Sequence, residues 1–320
     1  MVASVVAMVA DPPNTDRALT PVLVVGGTGH VGSPLCLHLA ENGRQVTAAS
    51  RRPSPGFNHP LVDEIRLDLR HPTSGLCVES VPIAVICPLV LDGEAAPNWI
   101  TKVVDHLSKR GLRSVLSFST VWVYGTLAGR LTEASPARPT NHYGKAHLAN
   151  EQALWSATER HGIDVTILRM SNLVGADPFY GQRSKISFTH ELADMALTNA
   201  RIVLRSPAST PRDLLARARL HHLIDAVLAR APKPGRYEVL NVGGGVTTTV
   251  GEFAQTVADA AARYHGRPVV IEHPDDPDNK PTFDLDSSRI EEVSGPHPND
   301  LHHEVSLVIR DVLKARGENW

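Results

Sequence analysis

In the segment NHYGKAHLANEQALW (residues 141–155), Tyr143 and His147 stand four residues apart. On a helix, positions i and i+4 share a face while i+2 lies about 200° around the axis, so His147, and not Lys145, neighbours the phenol. A phenol beside a cation is a proton-transfer pair, because nearby positive charge favours the phenolate. Imidazole fills that role in part: with an ordinary pKa near 6.5, roughly a quarter of it is charged at neutral pH. If His147 serves Tyr143 as a cation, activity rises as pH falls through the imidazole pKa. The alternative is a histidine that only packs on a sheet, beside a tyrosine that no longer reacts.

A second group of residues points to a phosphate-bearing ligand. PVLVVGGTGHVG (21–32) sets Gly26, Gly29 and Gly32 directly after an apolar run and at the start of a helical pattern. Glycines at that spacing permit a tight turn and let a pyrophosphate approach backbone N–H groups at the positive end of a helix. Gly26, Thr28, Gly29, His30, Val31 and Gly32 are therefore candidate contacts of a dinucleotide cofactor. The next predicted strand ends AASRRP (48–53), with Arg51 and Arg52 and no carboxylate. A guanidinium pairs with a 2′-phosphate through forked, charge-assisted bonds, whereas NAD sites place an acid there to hold the ribose hydroxyls. This favours NADP(H) and leaves NAD as the alternative. Asp68, with Leu69 beside it, is placed to accept a hydrogen bond from the adenine amine or to cap a helix.

These residues need a frame, and the chain alternates strand and helix patterns up to about residue 170. Strands are predicted at 21–27, 44–50, 62–69, 83–87, 113–120 and 164–170, with helices at 32–43, 96–111 and 142–161. Such alternation predicts a Rossmann-type α/β fold, a doubly wound parallel sheet covered by helices on both faces. Beyond residue 170 the texture changes to helices, short strands (RIVLR, YEVLNV, RPVVIE) and more proline and arginine. Thr249 and Glu252 form a capping box opening a helix through Arg263. The expected organisation is a leader at 1–20 and a dinucleotide-binding domain at 21–170. Residues 171–320 follow as mainly a smaller mixed α/β substrate lobe, with the chain free to cross between lobes.

Composition narrows the function classes. The chain has 320 residues, 42% hydrophobic and 21% charged, with a formal net charge of -2. That balance, without a long basic run, argues against nucleic acid or an acidic membrane as partner. No apolar stretch reaches the ~20 residues a membrane helix needs. The three cysteines, Cys36, Cys77 and Cys87, have no metal-type spacing and fit a reduced, cytoplasmic protein. The pairs His221–His222 and His302–His303 are not read as a metal site, because adjacent helical residues diverge and no Cys/Asp/Glu cluster accompanies them.

The ordered series GGTGHVG, LDL, LSFSTVWVYG, YGKAHLANE, LRMSNLVGAD, PRDL and NVGGGVTTTVGEFA resembles the extended short-chain dehydrogenase/reductases, over about residues 21–290. That family comprises NAD(P)-dependent nucleotide-sugar epimerases, dehydratases and ketoreductases. The resemblance implies that Tyr143 exchanges a proton with the reacting oxygen and that Thr120 hydrogen-bonds that oxygen. Aligned on Glu151, His147 takes the place of the family's lysine, which binds the nicotinamide ribose. Asn172 matches a sugar-contacting asparagine and Arg212 a diphosphate-binding arginine, with Lys280 as a further cation. Two departures stand out. Leu89 and Val90 replace small residues close to the nicotinamide while Pro88 removes a backbone donor, and Val121–Trp122 replaces the Asp-Glu pair of the 4,6-dehydratases. The resemblance implies an NADPH-dependent ketoreductase acting on a nucleotide-activated sugar such as an NDP-4-keto-6-deoxyhexose. A nucleotide-sugar epimerase holding NAD, and a non-catalytic NADP(H)-binding protein, are the other readings. A homodimer through the helix at 142–161 and its predecessor is also implied.

Overall fold

A computed structural model of the chain describes residues 20–51, 56–69, 71, 78–87, 96–182, 187–275 and 281–318. The predicted leader, apart from Thr20, and Arg52, Cys77, Pro88, Leu89, Val90 and Lys280 lie outside the described residues. The apolar runs of the first half form β1 (Val22–Val25), β2 (Val46–Ser50), β3 (Val62–Arg66), β4 (Ile83–Ile86) and β5 (Ser114–Thr120). Together with β7 (Asp164–Met170) and β11 (Tyr237–Val242) they build a seven-stranded sheet in the order β11-β7-β5-β4-β1-β2-β3. Every pairing in it is parallel: Val22 lies opposite both Val46 and Ile83, and Ser114 opposite Asp164. This is the predicted doubly wound α/β fold.

Because the sheet is covered on both sides, its central strands are buried along their whole length and read as unbroken apolar runs. Alternate residues nevertheless serve different cores, following the two-residue period of a strand. Val22, Val24, Leu116 and Leu168 face Leu35 and Leu39 of α1 (Gly32–Glu41) and Leu220 and Ile224 of α5 (Arg217–Ala229). Leu23, Val25, Val115 and Val165 face Trp99 and Val103 of α2 (Ala96–Ser108) and Leu154 and Ala157 of α3 (His142–His161).

A third core joins α4 (Phe188–Asn199), α6 (Val250–His265) and α8 (Leu301–Ala315) through Leu192, Phe253, Val257 and Val308. Small sheets flank it. β8 (Asn172–Val174), β10 (Pro211–Ala216) and β12 (Thr247–Thr249) form one, and β9 (Arg201–Val203) pairs with β13 (Val270–Glu272). β6 (Gly129–Leu131) pairs with β14 (Phe283–Leu285), and α7 (Ser288–Ser294) packs beside α5. The Thr249–Glu252 capping box forms with both of its hydrogen bonds, opening α6. The chain does cross back after residue 170: α5 covers the main sheet, and YEVLNV is that sheet's edge strand β11, paired along β7. Every βα turn of the first half opens on the carboxyl edge of the sheet, which is where ligands of such folds bind.

Candidate active site

Thr120 is the last residue of β5. Its side chain caps a 3-10 turn, Val121–Tyr124, by accepting from the Trp122 N–H at 3.4 Å. Against that turn lies the N-terminus of α3, capped by Asn141, whose side-chain oxygen accepts from the Gly144 N–H at 2.7 Å. The approach is close: a Cβ on Gly144 would lie 2.4 Å from the Trp122 carbonyl oxygen. Only glycine at 144 allows the helix to come near enough to bring Tyr143 beside Thr120. The sequence reading quoted this glycine without assigning it a role.

The outcome is a cavity of about 490 Å³. Six residues predicted from sequence line it together: Thr120, Tyr143, Asn172, Arg212, His30 and Val31. Trp122, Ser171, Ser187 and Phe188 line it too, and sequence reasoning had no pattern that pointed to the last three. Tyr143 is 47% exposed as a residue, so water reaches its edge, but its phenol is largely desolvated. Burial pushes the Tyr143 pKa above its ordinary value, and the hydrogen bond with the Thr120 hydroxyl opposes this. Burial likewise lowers the pKa of Arg212, the one predicted diphosphate ligand among the described residues.

His147 departs from expectation. Helical spacing does turn it toward Tyr143, with ring centroids 4.5 Å apart in an edge-on arrangement, and Lys145 is exposed on another side. The imidazole is, however, only 4% exposed, and neither ring nitrogen finds a well-formed hydrogen bond. Burial pushes its pKa down to about 4, and the Phe118 backbone offsets this only in part. The predicted cation is therefore corrected to a neutral ring at neutral pH, since a charge without a partner there would be desolvated at great cost. It supplies no positive charge to lower the Tyr143 pKa, which is raised. The expected rise of activity with falling pH loses its basis.

One turn further, Glu151 anchors the helix. Its carboxylate accepts from Arg169 of β7 at 3.1 and 2.7 Å and from the Ser119 hydroxyl of β5 at 2.5 Å, and all three residues are buried. Arg169 also lies over the Tyr124 ring, 4.9 Å from its centroid. The pair ties α3 to two central strands and so fixes the register that sets Tyr143 against Thr120.

The glycine turn fits a dinucleotide pyrophosphate on its own geometry. Gly26 has φ +82°, and a Cβ there would lie 2.8 Å from the Cys87 carbonyl oxygen. A Cβ on Gly32 would lie 2.3 Å from the Gly26 carbonyl oxygen, so the helix can start only with glycine. No side chain caps α1 at Val31, and its first turn holds no acidic residue, which leaves the positive helix end to an anion. Arg51 is exposed just past β2; Asp68 is half-buried and Leu69 buried just past β3, next along the same sheet edge. These positions would flank the adenosine end of a dinucleotide stretched from the turn.

Residues 98–243 match the NAD dependent epimerase/dehydratase family. A UDP-glucose 4-epimerase from Azospirillum brasilense is 28% identical over 324 residues, covering 91% of this chain and 90% of that protein. The family match covers a little under half of the chain, and the similarity to this relative runs along nearly all of it. A dTDP-6-deoxy-L-talose 4-dehydrogenase (NAD(P)(+)) from Kitasatospora kifunensis is 28% identical over 264 residues, 74% of this chain and 78% of the relative. Among solved structures, MoeE5 in complex with UDP-glucuronic acid and NAD superposes with a TM-score of 0.75 at 22% identity, covering 92% of this chain and 99% of that one. At that identity the superposition speaks for the fold.

The matched family is NAD dependent, and the two curated relatives are a nucleotide-sugar epimerase and a deoxysugar-nucleotide dehydrogenase. Among the described residues no helix is long and apolar enough to cross a membrane, and no cluster of three His, Cys, Asp or Glu side chains is arranged to hold a metal ion.

Proposed function

We propose that the protein is an NADPH-dependent ketoreductase acting on a nucleotide-activated sugar, such as an NDP-4-keto-6-deoxyhexose. One juxtaposition carries the choice: the Tyr143 phenol shares a cavity with Thr120 and packs 4.5 Å, centroid to centroid, from a buried imidazole whose nitrogens find no well-formed hydrogen bond. Burial holds the phenol in its protonated form. A phenol in that state is a proton donor. Reduction of a carbonyl consumes a proton at oxygen, and protonated Tyr143 is ready to give it, with the Thr120 hydroxyl hydrogen-bonding the same oxygen. Oxidation of an alcohol requires the phenolate, which a raised pKa makes scarce. An epimerase must run both steps in each cycle.

A nicotinamide bound at the glycine turn supplies the hydride. The chain's own contributions are distinct. Gly26, Thr28, Gly29, His30, Val31 and Gly32 hold the pyrophosphate. Arg51 pairs with the 2′-phosphate, and Asp68 with Leu69 borders the adenine. His147 packs behind Tyr143 and fixes the ring's orientation without charging it. Asn172 orients the sugar and Arg212 neutralises the diphosphate, in a cavity whose other lining is largely uncharged. The partly exposed edge of Tyr143 lets solvent return the proton after each turnover. The relative named as a dTDP-6-deoxy-L-talose 4-dehydrogenase (NAD(P)(+)) supports both the reaction class and the use of either cofactor.

A second reading, a nucleotide-sugar 4-epimerase with tightly held NAD, is favoured by the Azospirillum brasilense relative, which spans 91% of this chain. The deciding experiment measures cofactor released from the purified protein and NADPH oxidation with a panel of NDP-4-keto sugars. Exchangeable NADPH consumed stoichiometrically with a keto sugar supports the reductase. Retained NAD with interconversion of C4 epimers supports the epimerase, and inertness throughout leaves a dinucleotide-binding protein. The proposal extends to a cytoplasmic homodimer joined through α2 and α3, where Trp155 is half exposed; light scattering in solution checks the assembly.

A further inference from the structure

The glycine turn proposed to hold the pyrophosphate carries one imidazole whose contacts run to residues far along the chain. His30 is partly exposed at the cavity, and its Nδ1 lies 3.1 Å from the Asp177 carboxylate. Arg217, 5% exposed, donates through Nη1 to the His30 carbonyl at 3.2 Å and through Nη2 to the Gly175 carbonyl at 3.3 Å. The same Nη2 stands 3.4 Å from the His30 Nε2. These contacts define a neutral tautomer, with Nδ1–H donating to the carboxylate and Nε2 facing a permanent donor.

The partners are themselves held. Asp177 is 3% exposed; its other carboxylate oxygen accepts from the Phe179 N–H at 2.9 Å, and its own N–H donates to Asp311 at 2.6 Å. Asp311 also contacts the His190 Nε2 at 3.1 Å, and the Nδ1 of His190 lies 2.7 Å from the Ser187 hydroxyl at the cavity wall. Asp177, Ser187, His190, Arg217 and Asp311 all follow residue 170, whereas His30 belongs to the first turn of the nucleotide half. The cluster thus joins the cofactor turn to the segments that line the substrate side.

The geometry has a consequence for the turn itself. A trans peptide sets each N–H opposite the preceding carbonyl. Arg217 holds the His30 carbonyl, and so fixes the direction of the Val31 N–H at the uncapped start of α1. We infer that His30, Asp177 and Arg217 are positioning residues that set the dinucleotide-binding turn from the substrate half of the molecule. The inference goes beyond the proposed reaction and does not depend on the sugar or the direction of hydride transfer.

The test is titration of NADPH, and separately NADH, into the purified full chain, read by protein-to-cofactor fluorescence transfer, with melting temperatures recorded alongside. His30→Phe keeps a ring and removes both nitrogens; His30→Gln keeps one donor and one acceptor. The expected result is an affinity loss of about tenfold for His30→Phe and for Asp177→Asn, the scale of one charge-assisted hydrogen bond. His30→Gln is expected to stay within about threefold of the parent, and all three to melt close to it. Three results would overturn the inference: parent-like affinity in His30→Phe, equal losses in the Phe and Gln variants, or loss of the fold in either, which would make the cluster a structural brace only.

Discussion

Replacing His147 by leucine tests whether the imidazole is a buried neutral group, and the expected size follows from the structure. The unfolded imidazole titrates near 6.5 and the folded one at about 4. Between those values the unfolded chain binds a proton that the folded chain refuses, so stability falls as pH drops through 6.5 and levels off near 4. At pH 5 the gap is one and a half pH units below the unfolded pKa, or about 2 kcal/mol of lost stability from this residue alone. His30 and His221 have lowered pKa values as well, so they steepen the acid limb with the same sign in parent and variant. Urea unfolding at pH 7 and pH 5 isolates the difference. The parent should lose about 2 kcal/mol more than His147→Leu over that interval. Parallel losses in the two proteins, or a parent that gains stability on acidification, would refute the neutral, desolvated imidazole.

Other expectations follow from the same geometry. kcat/KM for reduction should be flat from pH 6 to 9, with no limb near 6.5, and His147→Lys should keep or raise turnover while shifting the alcohol-oxidation limb to lower pH; a histidine-like limb in the parent, or a sharp loss in the lysine variant, would contradict the assignment. Gly144→Ala places a methyl 2.4 Å from the Trp122 carbonyl, so turnover should fall at least about tenfold while NADPH affinity, held mainly by the glycine turn and Arg51, changes little; steady-state kinetics beside a binding titration separates the two. Arg51→Ala should weaken NADPH about tenfold or more and leave NADH almost unchanged, as titration of both cofactors would reveal, because only NADPH offers a 2′-phosphate to the guanidinium.

Much of the frame was legible before the structure. The unbroken apolar strands and the glycine-bounded helices reported the parallel sheet directly, and α3 and β7 begin and end at the predicted residues. Helical spacing alone placed His147 toward Tyr143 and Lys145 away from it. Spacing says nothing of desolvation, however, and that is what turned a predicted cation into a neutral ring. The return of YEVLNV to the main sheet was equally hidden, since an edge strand partnered at long range carries no local mark of its partner. Nor does a one-dimensional pattern reveal that Asp177 and Arg217 converge on His30, because those contacts span 147 and 187 residues of chain. Gly144 was legible in principle: a glycine inside an amphipathic helix signals a close approach, and here the Trp122 carbonyl makes it.

Reduction of an NDP-4-keto sugar by NADPH in Tyr143→Phe, measured beside the parent, tests the central claim most directly. Removal of the phenolic hydroxyl should lower kcat by about 10²–10⁴-fold, the usual contribution of a positioned general acid, while the Kd for NADPH stays near that of the parent. Turnover close to the parent's in that variant would show that another group delivers the proton.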